Sequence, residues 1–516
     1  MKKTLRFLSL LMALLTLIAC FAACGGADET EAESKVETEA PAKETEGDGK
    51  IYDEYGREFI DDSVPKDLSF ANAENNTITF FCRDDNAYWK MEMDVDELID
   101  DTVSDAIYYR NVTVEERLGV TITAIFQAGG FSDANLTHEK FLQTLRNSVL
   151  NQSHDYDSAA VYASQGAALA TEGIYYNVHN LNHLDLEKPW WNQALLEETT
   201  LFDSLYFLGG DIAISEVSRA SLIPFNKRLV EENLGDINLY ELVDKGEWTI
   251  DKLYELSSTV WSDENGSAIL DDGDIVGFHS RSGNGMGEMD VWVTAMGIPI
   301  TVMNSDGLPE LAFYSPRSID AFEKLRRLYK ENTGALDLNG SQVTKFANGN
   351  VMFTLALLES CESYRDMKDQ YGALPVPKYD EDQEGYYNVP QNACSLVVVC
   401  ADILAEKKDM LGATLELMAA ESYRQVSPKY YEVCLKSKYS ADVEDARMYD
   451  LILAGNRLDF GYIFSTKHIA TIGGLFRILD RDFAETYESR RTQYETALED
   501  LIDKLDEISY LQSTVE

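Results

Sequence analysis

Between Asn76 and Ser164 the chain switches four times between strand-like and helix-like apolar patterns, and this alternation constrains the fold more than any other feature. NTITFFC (Asn76–Cys82) is β-branched and aromatic, the composition of a strand. From Asp94 to Leu118 the positions Leu98, Val103, Ile107, Val114 and Leu118 recur on one side of a helix, and Gly119 supplies a stop. Val120–Phe126 is strand-like again, Phe141–Leu150 helical, and YDSAAVYAS (Tyr156–Ser164) strand-like. Strand, helix, strand, helix, strand needs crossover connections, so the three strands are expected parallel in one sheet. The fold class is α/β, and open sheets of this kind take ligands at the carboxyl ends of their strands.

Further along, Trp248–Trp261 and Ser318–Tyr329 read as amphipathic helices, the second capped by Ser315 or Ser318 around Pro316. Ile275–His279 is a short strand and SLVVVCADI (Ser395–Ile403) a fully apolar one; Asp480–Ile508 reads as one long charged helix. At 516 residues there is room for two or three domains.

The first residues carry a separate message. Lys2, Lys3 and Arg6 precede the apolar run Phe7–Ala23, which Gly25 and Gly26 end. A spanning helix needs about 20 apolar residues, and the basic start with small residues at the end fits a secretory signal over residues 1–23. The run ends in small residues before a cysteine and resembles the bacterial lipobox, which implies acylation of Cys24, with Cys20 as the alternative. Residues 24–50 are acidic, with one Pro and no aromatic residue, so they bury too little to fold and read as an extended tether.

The formal net charge of −46 repels phosphate backbones, which excludes nucleic acid as a partner. An anionic ligand would require a local basic pocket against that field. Beyond the signal, Cys82, Cys361, Cys394, Cys400 and Cys434 are odd in number and lack a C-x-x-C pair, so buried free thiols are expected rather than disulfides or zinc. His179 and His183 have ligand spacing, yet interleaved Asn177, Asn180 and Asn182 make that stretch a loop, and no metal is expected. GNGMG (Gly283–Gly287) lacks the Gly-Lys-Ser/Thr ending of a phosphate loop. No cofactor is expected. No G-x-S-x-G elbow occurs; the 90 carboxylates leave a surface glycosidase as an enzymatic alternative.

Several segments, taken in order, resemble the extracellular solute-binding lipoproteins of bacterial ABC importers, in particular the large carbohydrate-binding type. They are the lipobox and tether, Ile51–Phe70, EKPWWNQALLEET (Glu187–Thr199), LYFLGGDIAIS (Leu205–Ser215), Ile223–Ser257, KFANGNVMF (Lys345–Phe353) and Tyr371–Pro390. The resemblance implies two α/β lobes joined by hinge strands, with a ligand cleft between them. It places residues 51–215 plus 351–397 in lobe one and 221–350 plus 398–516 in lobe two, with Gly209, Gly210 and Pro224 near hinges. It also implies a monomer, lipid-anchored at the outer membrane face, that delivers a small solute to permease subunits and catalyses nothing. A sugar cleft needs flat apolar faces and planar polar groups, and the chain has 28 Tyr, 21 Phe and 6 Trp. The expected ligand residues are Asp85, Asn86 and Trp89 after the first strand, Tyr162 and Gln165 after the third, and Trp191, Asp211, Arg281, Trp292, Glu359 and Tyr386 elsewhere. A peptide or amino acid is the alternative ligand.

Overall fold

The computed structural model describes residues 43–44, 51–52, 58–130, 136–283, 287–338, 342–430, 443–464 and 472–515. The expected signal peptide, Cys20, Cys24, nearly all of the tether, Cys434 and residues 284–286 of the glycine loop lie outside the described residues. Residues 1–60 form one unit, in which Lys43–Glu44 pairs antiparallel with Ile51–Tyr52, and residues 61–516 form another.

The alternating segment folds as β1 (Thr77–Arg83), α1 (Thr102–Leu118), β2 (Thr121–Gln127), α2 (Thr137–Leu150) and β3 (Ser158–Tyr162). β1 is parallel to β2 from Thr77↔Thr121 to Arg83↔Gln127, and parallel to β3 at Phe80↔Ser158. Phe81 of β1 stacks on Phe141 of α2 at 4.1 Å between centroids and on Tyr156 at 4.4 Å, which seats α2 on the sheet. α1 starts eight residues later than its apolar pattern predicts. The Asp101 carboxylate accepts from the N–H groups of Val103 and Ser104, capping the helix there, and Asp100 at φ 63° cannot continue it upstream. Leu98 and Ile99 are therefore exposed. Gly119 ends α1 at φ 68° with its N–H on the Glu115 carbonyl, and a Cβ there would meet Ala71 Cβ at 2.7 Å.

Downstream come β4 (Ser221–Asn226), β5 (Ile275–Ser280), β6 (Ala335–Asp337), β7 (Val351–Thr354), β8 (Tyr371–Leu374), β9 (Ser395–Val399), and the helices α3 (Lys408–Glu421) and α4 (Arg491–Val515). β6, β5, β7 and β4 are successive neighbours in a second sheet; β5 is parallel to β6 and β7, and β4 antiparallel to β7 and β8. β9 joins the first sheet, antiparallel to β3 in full register from Ser395↔Tyr162 to Val399↔Ser158.

Strand pairing draws the boundary differently from the sequence expectation. Residues 351–397, expected with the first lobe, supply β7 and β8 to the second sheet. α3, expected with the second lobe, packs on α1 of the first. A fully apolar strand pairs equally well with either sheet, so composition alone could not assign it. The β3–β4 and β8–β9 segments, which connect the sheets, and the β7–β8 segment within the second sheet lie side by side: Leu358 N–H donates to the Ala220 carbonyl (2.9 Å), Gln391 N–H to the Arg219 carbonyl (2.9 Å), and Ser221 N–H to Asn388 Oδ1 (3.3 Å).

The helix expected from Ser318 runs Pro316–Arg326, with Ser315 as cap and Ser318 closing the capping box. The long C-terminal helix is two: Phe483–Glu488, capped by Asp482, and α4. Cys82, Cys361, Cys394 and Cys400 are buried free thiols.

Candidate functional site

Because β1 and β3 are parallel, their carboxyl ends lie at one edge of the first sheet, and antiparallel β9 begins at that edge. Arg83 and Tyr162 are the last residues of β1 and β3. The next turn after β1, Ala87–Met91, is capped by Asn86, whose side chain accepts from Tyr88 N–H at 2.8 Å, and it turns Trp89 back over the strand end. Trp89, Tyr162 and Ala393 form one buried cluster.

Two guanidinium groups lie on the Trp89 ring, Arg83 with its Cζ at 4.0 Å from the centroid and Arg219 at 4.9 Å. Arg83 is fully buried; it donates to the Ala393 carbonyl (3.0 Å) and Ser395 Oγ (2.7 Å). Burial pulls its guanidinium down to about 10, so it stays charged near neutrality. Arg219 lies just before β4, in the first connecting segment. Its Nη1 donates to Gln391 Oε1 in the β8–β9 segment, and its Nη2 is 3.4 Å from Glu359 Oε1 in the β7–β8 segment. Burial pushes the Glu359 carboxyl above the usual range, against the Arg219 charge and the Asn86 amide that bond it. Tyr162 donates to Asn392 Oδ1 at 3.2 Å. From the second sheet's side, a Cβ on Gly287 would lie 3.4 Å from Asn392 Oδ1, and the buried Asp290 carboxylate is held by Arg477 Nε at 2.7 Å.

Trp89 Nε1, Arg83 Nε, Arg219 Nε and Glu359 Oε2 are buried without a hydrogen-bond partner. Buried polar atoms in native proteins are nearly always satisfied. Four such atoms lie together here, on groups that touch one another.

Of the residues expected from sequence, the structure brings together Asn86, Trp89, Tyr162 and Glu359. Asp85 is beside them but holds a turn, accepting from Gly130 N–H at 2.6 Å and from Gly129 N–H. Gln165 is half-buried on the short helix after Tyr162. Arg281 pairs with Glu288, next to Gly287. The remaining four lie elsewhere. Trp191 is a core residue whose Nε1 donates to Glu416 of α3 at 3.2 Å. Trp292 is fully buried against Tyr329, with its Nε1 on the Tyr329 hydroxyl at 3.2 Å. Tyr386 is buried with its hydroxyl on the Val243 carbonyl at 3.2 Å. Asp211 accepts from Ser427 Oγ in a turn. Gly210 is a close-approach residue rather than a pivot: at φ 115°, a Cβ would lie 2.2 Å from the Trp190 carbonyl. Sequence reasoning missed Arg83, Arg219, Gln391 and Asn392. Arg83 alone carried a local signal, as a charge closing an apolar strand. Among the described residues no group of three His, Cys, Asp or Glu side chains is placed to hold a metal ion.

No family model matches the sequence, and no curated relative does. Solved structures do resemble it. The cyclo/maltodextrin-binding protein complexed with maltotetraose matches at TM-score 0.52 and 11% identity, over 84% of this chain and 97% of that one. The cyclic α-maltosyl-1,6-maltose binding protein from Arthrobacter globiformis matches at TM-score 0.53 and 15% identity, over 84% and 99%. UgpB from Mycobacterium tuberculosis, in complex with glycerophosphocholine, matches at TM-score 0.52 and 14% identity, over 83% and 99%. At such identities the likeness is one of fold, and the fold is the two-lobed α/β type of the periplasmic-binding-protein-like solute-binding proteins.

Proposed function

We propose that this chain is the substrate-binding component of an ABC importer that captures a sugar or oligosaccharide between its two sheets and hands it to permease subunits. The carrying observation is the cluster of Trp89, Tyr162, Asn86, Arg219, Glu359 and Gln391, with its orphaned donors and acceptor. Hydroxyls both donate and accept, so one sugar ring satisfies an indole N–H, a guanidinium N–H and a carboxylate oxygen together. Two of the structural neighbours carry maltodextrin-type ligands by name, which favours the same ligand class here.

The proposal extends to position and partners: a signal peptide over residues 1–23, a lipid on Cys24 or Cys20, and a tether holding a monomeric binding protein at the outer membrane face. Binding, not turnover, is the activity. A thermal-shift screen over neutral and acidic oligosaccharides, peptides and polyamines tests it, since a ligand at 100 times its Kd adds about 2.7 kcal/mol of stability. A rise in Tm with saccharides and no hydrolysis products is expected. A rise only with peptides, or release of shorter sugars at a catalytic rate, overturns it.

A further inference from the structure

We infer that the saccharide carries an oxyanion, a uronate carboxylate or a phosphate ester, and that Arg219 receives it. The inference rests on the saccharide-binding reading above and narrows its ligand class. Arg219 uses its Nη1 on Gln391, which leaves the Nε–Nη2 edge facing Glu359. On that edge Nε has no partner, and Nη2 has only the Glu359 oxygen at 3.4 Å, beyond the usual 2.7–3.2 Å hydrogen-bond range. Two parallel N–H groups on one guanidinium edge fit the two oxygens of a carboxylate or phosphate, the strongest arrangement arginine makes. Trp89 Nε1, under the same guanidinium, adds a third unsatisfied donor.

Competing acceptors around that edge are already engaged. The neighbouring carboxylates have partners: Asp85 the Gly129 and Gly130 N–H groups, Glu362 the Tyr88 hydroxyl, Asp290 Arg477, and Glu288 Arg281. Arg83 hydrogen-bonds only neutral acceptors, with the buried Glu92 carboxyl nearby. Glu359 then acts as the stand-in for the ligand oxyanion and is displaced, or shares the edge, when the ligand enters.

Isothermal titration with matched pairs tests it: trigalacturonate beside galactotriose, and glucose 6-phosphate beside glucose. An acidic member binding on the order of tenfold or more tighter than its neutral parent supports the inference, and the responding pair identifies the oxyanion. Arg219→Lys keeps the charge but loses the flat edge, and is expected to weaken the acidic ligand by on the order of tenfold more than its neutral parent. Glu359→Gln leaves Arg219 in place and removes its competitor, so it is expected to tighten the acidic ligand. That variant decides the matter if Arg219→Lys does not fold. Neutral saccharides binding as tightly as acidic ones would overturn the inference and leave the saccharide reading intact. Binding of none of the four, while the thermal-shift screen responds to another neutral saccharide, would overturn the inference alone; no response to any saccharide would overturn both.

Discussion

Trp89 shows how much a residue's meaning depends on what folds against it. Its place directly after a strand is legible in the sequence. That its ring is buried under two guanidinium groups is not, because Arg219 arrives from 130 positions away. An open stacking platform was the simple expectation; a covered one is found, so a ligand reaches the ring only after the segment bearing Arg219 shifts. Trp89→Ala is therefore expected to cost about 3–5 kcal/mol of stability, the range for buried large-to-small changes, measurable by denaturant unfolding. A cost under about 1 kcal/mol would mean the ring packs against nothing essential. Trp191, Trp292 and Tyr386 mark the limit of sequence reading. An aromatic residue suits a cleft and a core alike, and all three bury their polar atom on a partner within the protein.

At the scale of elements, the βαβαβ unit was legible because strand and helix periods differ, and its register follows from burying β1 on both faces. Helix ends were less so: α1 begins where Asp101 caps it, not where the apolar pattern begins. β9 was legible as an apolar strand, but not its partner. One buried ion pair secures that part of the sheet. Lys407, just before α3, sits 2.8 Å from Asp157 Oδ2, and the same oxygen accepts from Thr79 N–H of β1 at 2.8 Å. Lys407→Met leaves Asp157 buried and uncompensated, at an expected cost of about 3–5 kcal/mol in urea unfolding. A neutral result would show that the Thr79 N–H alone satisfies the carboxylate.

Over the whole molecule, buried carboxyl groups set how stability follows pH. Burial pushes Glu216 and Glu416 up to about 7 and Asp459 up to about 6, although each accepts hydrogen bonds that oppose the shift. Between their ordinary values and these, the folded chain holds more protons than the unfolded one, so stability falls as pH rises through that window. Self-repulsion of a chain at −46 acts in the same direction. Asp62 behaves oppositely: burial raises it, but the Arg117 hydrogen bonds and charge, with Lys66 and Arg424, bring it down to about 2. Its contribution is present above its ordinary value of 3.8 and is lost as pH falls toward 2. Tm is thus expected to be higher near pH 5 than near pH 8 and to drop steeply below pH 3. Glu216→Gln is expected to flatten the upper slope. A Tm that rises steadily from pH 5 to 8 would contradict this.

A saccharide is expected to bind at the edge shared by β1, β3 and β9, under Arg219. Hydrogen–deuterium exchange with and without the saccharide that raises Tm most, trigalacturonate being the expected one, tests it directly. Peptides containing residues 83–89, 162–165, 219–221, 359–362 and 391–394 are predicted to slow together on binding, while those of α4 stay unchanged. Saturating saccharide that protects α4 or another surface, and leaves these five segments exchanging as before, would put the binding site elsewhere.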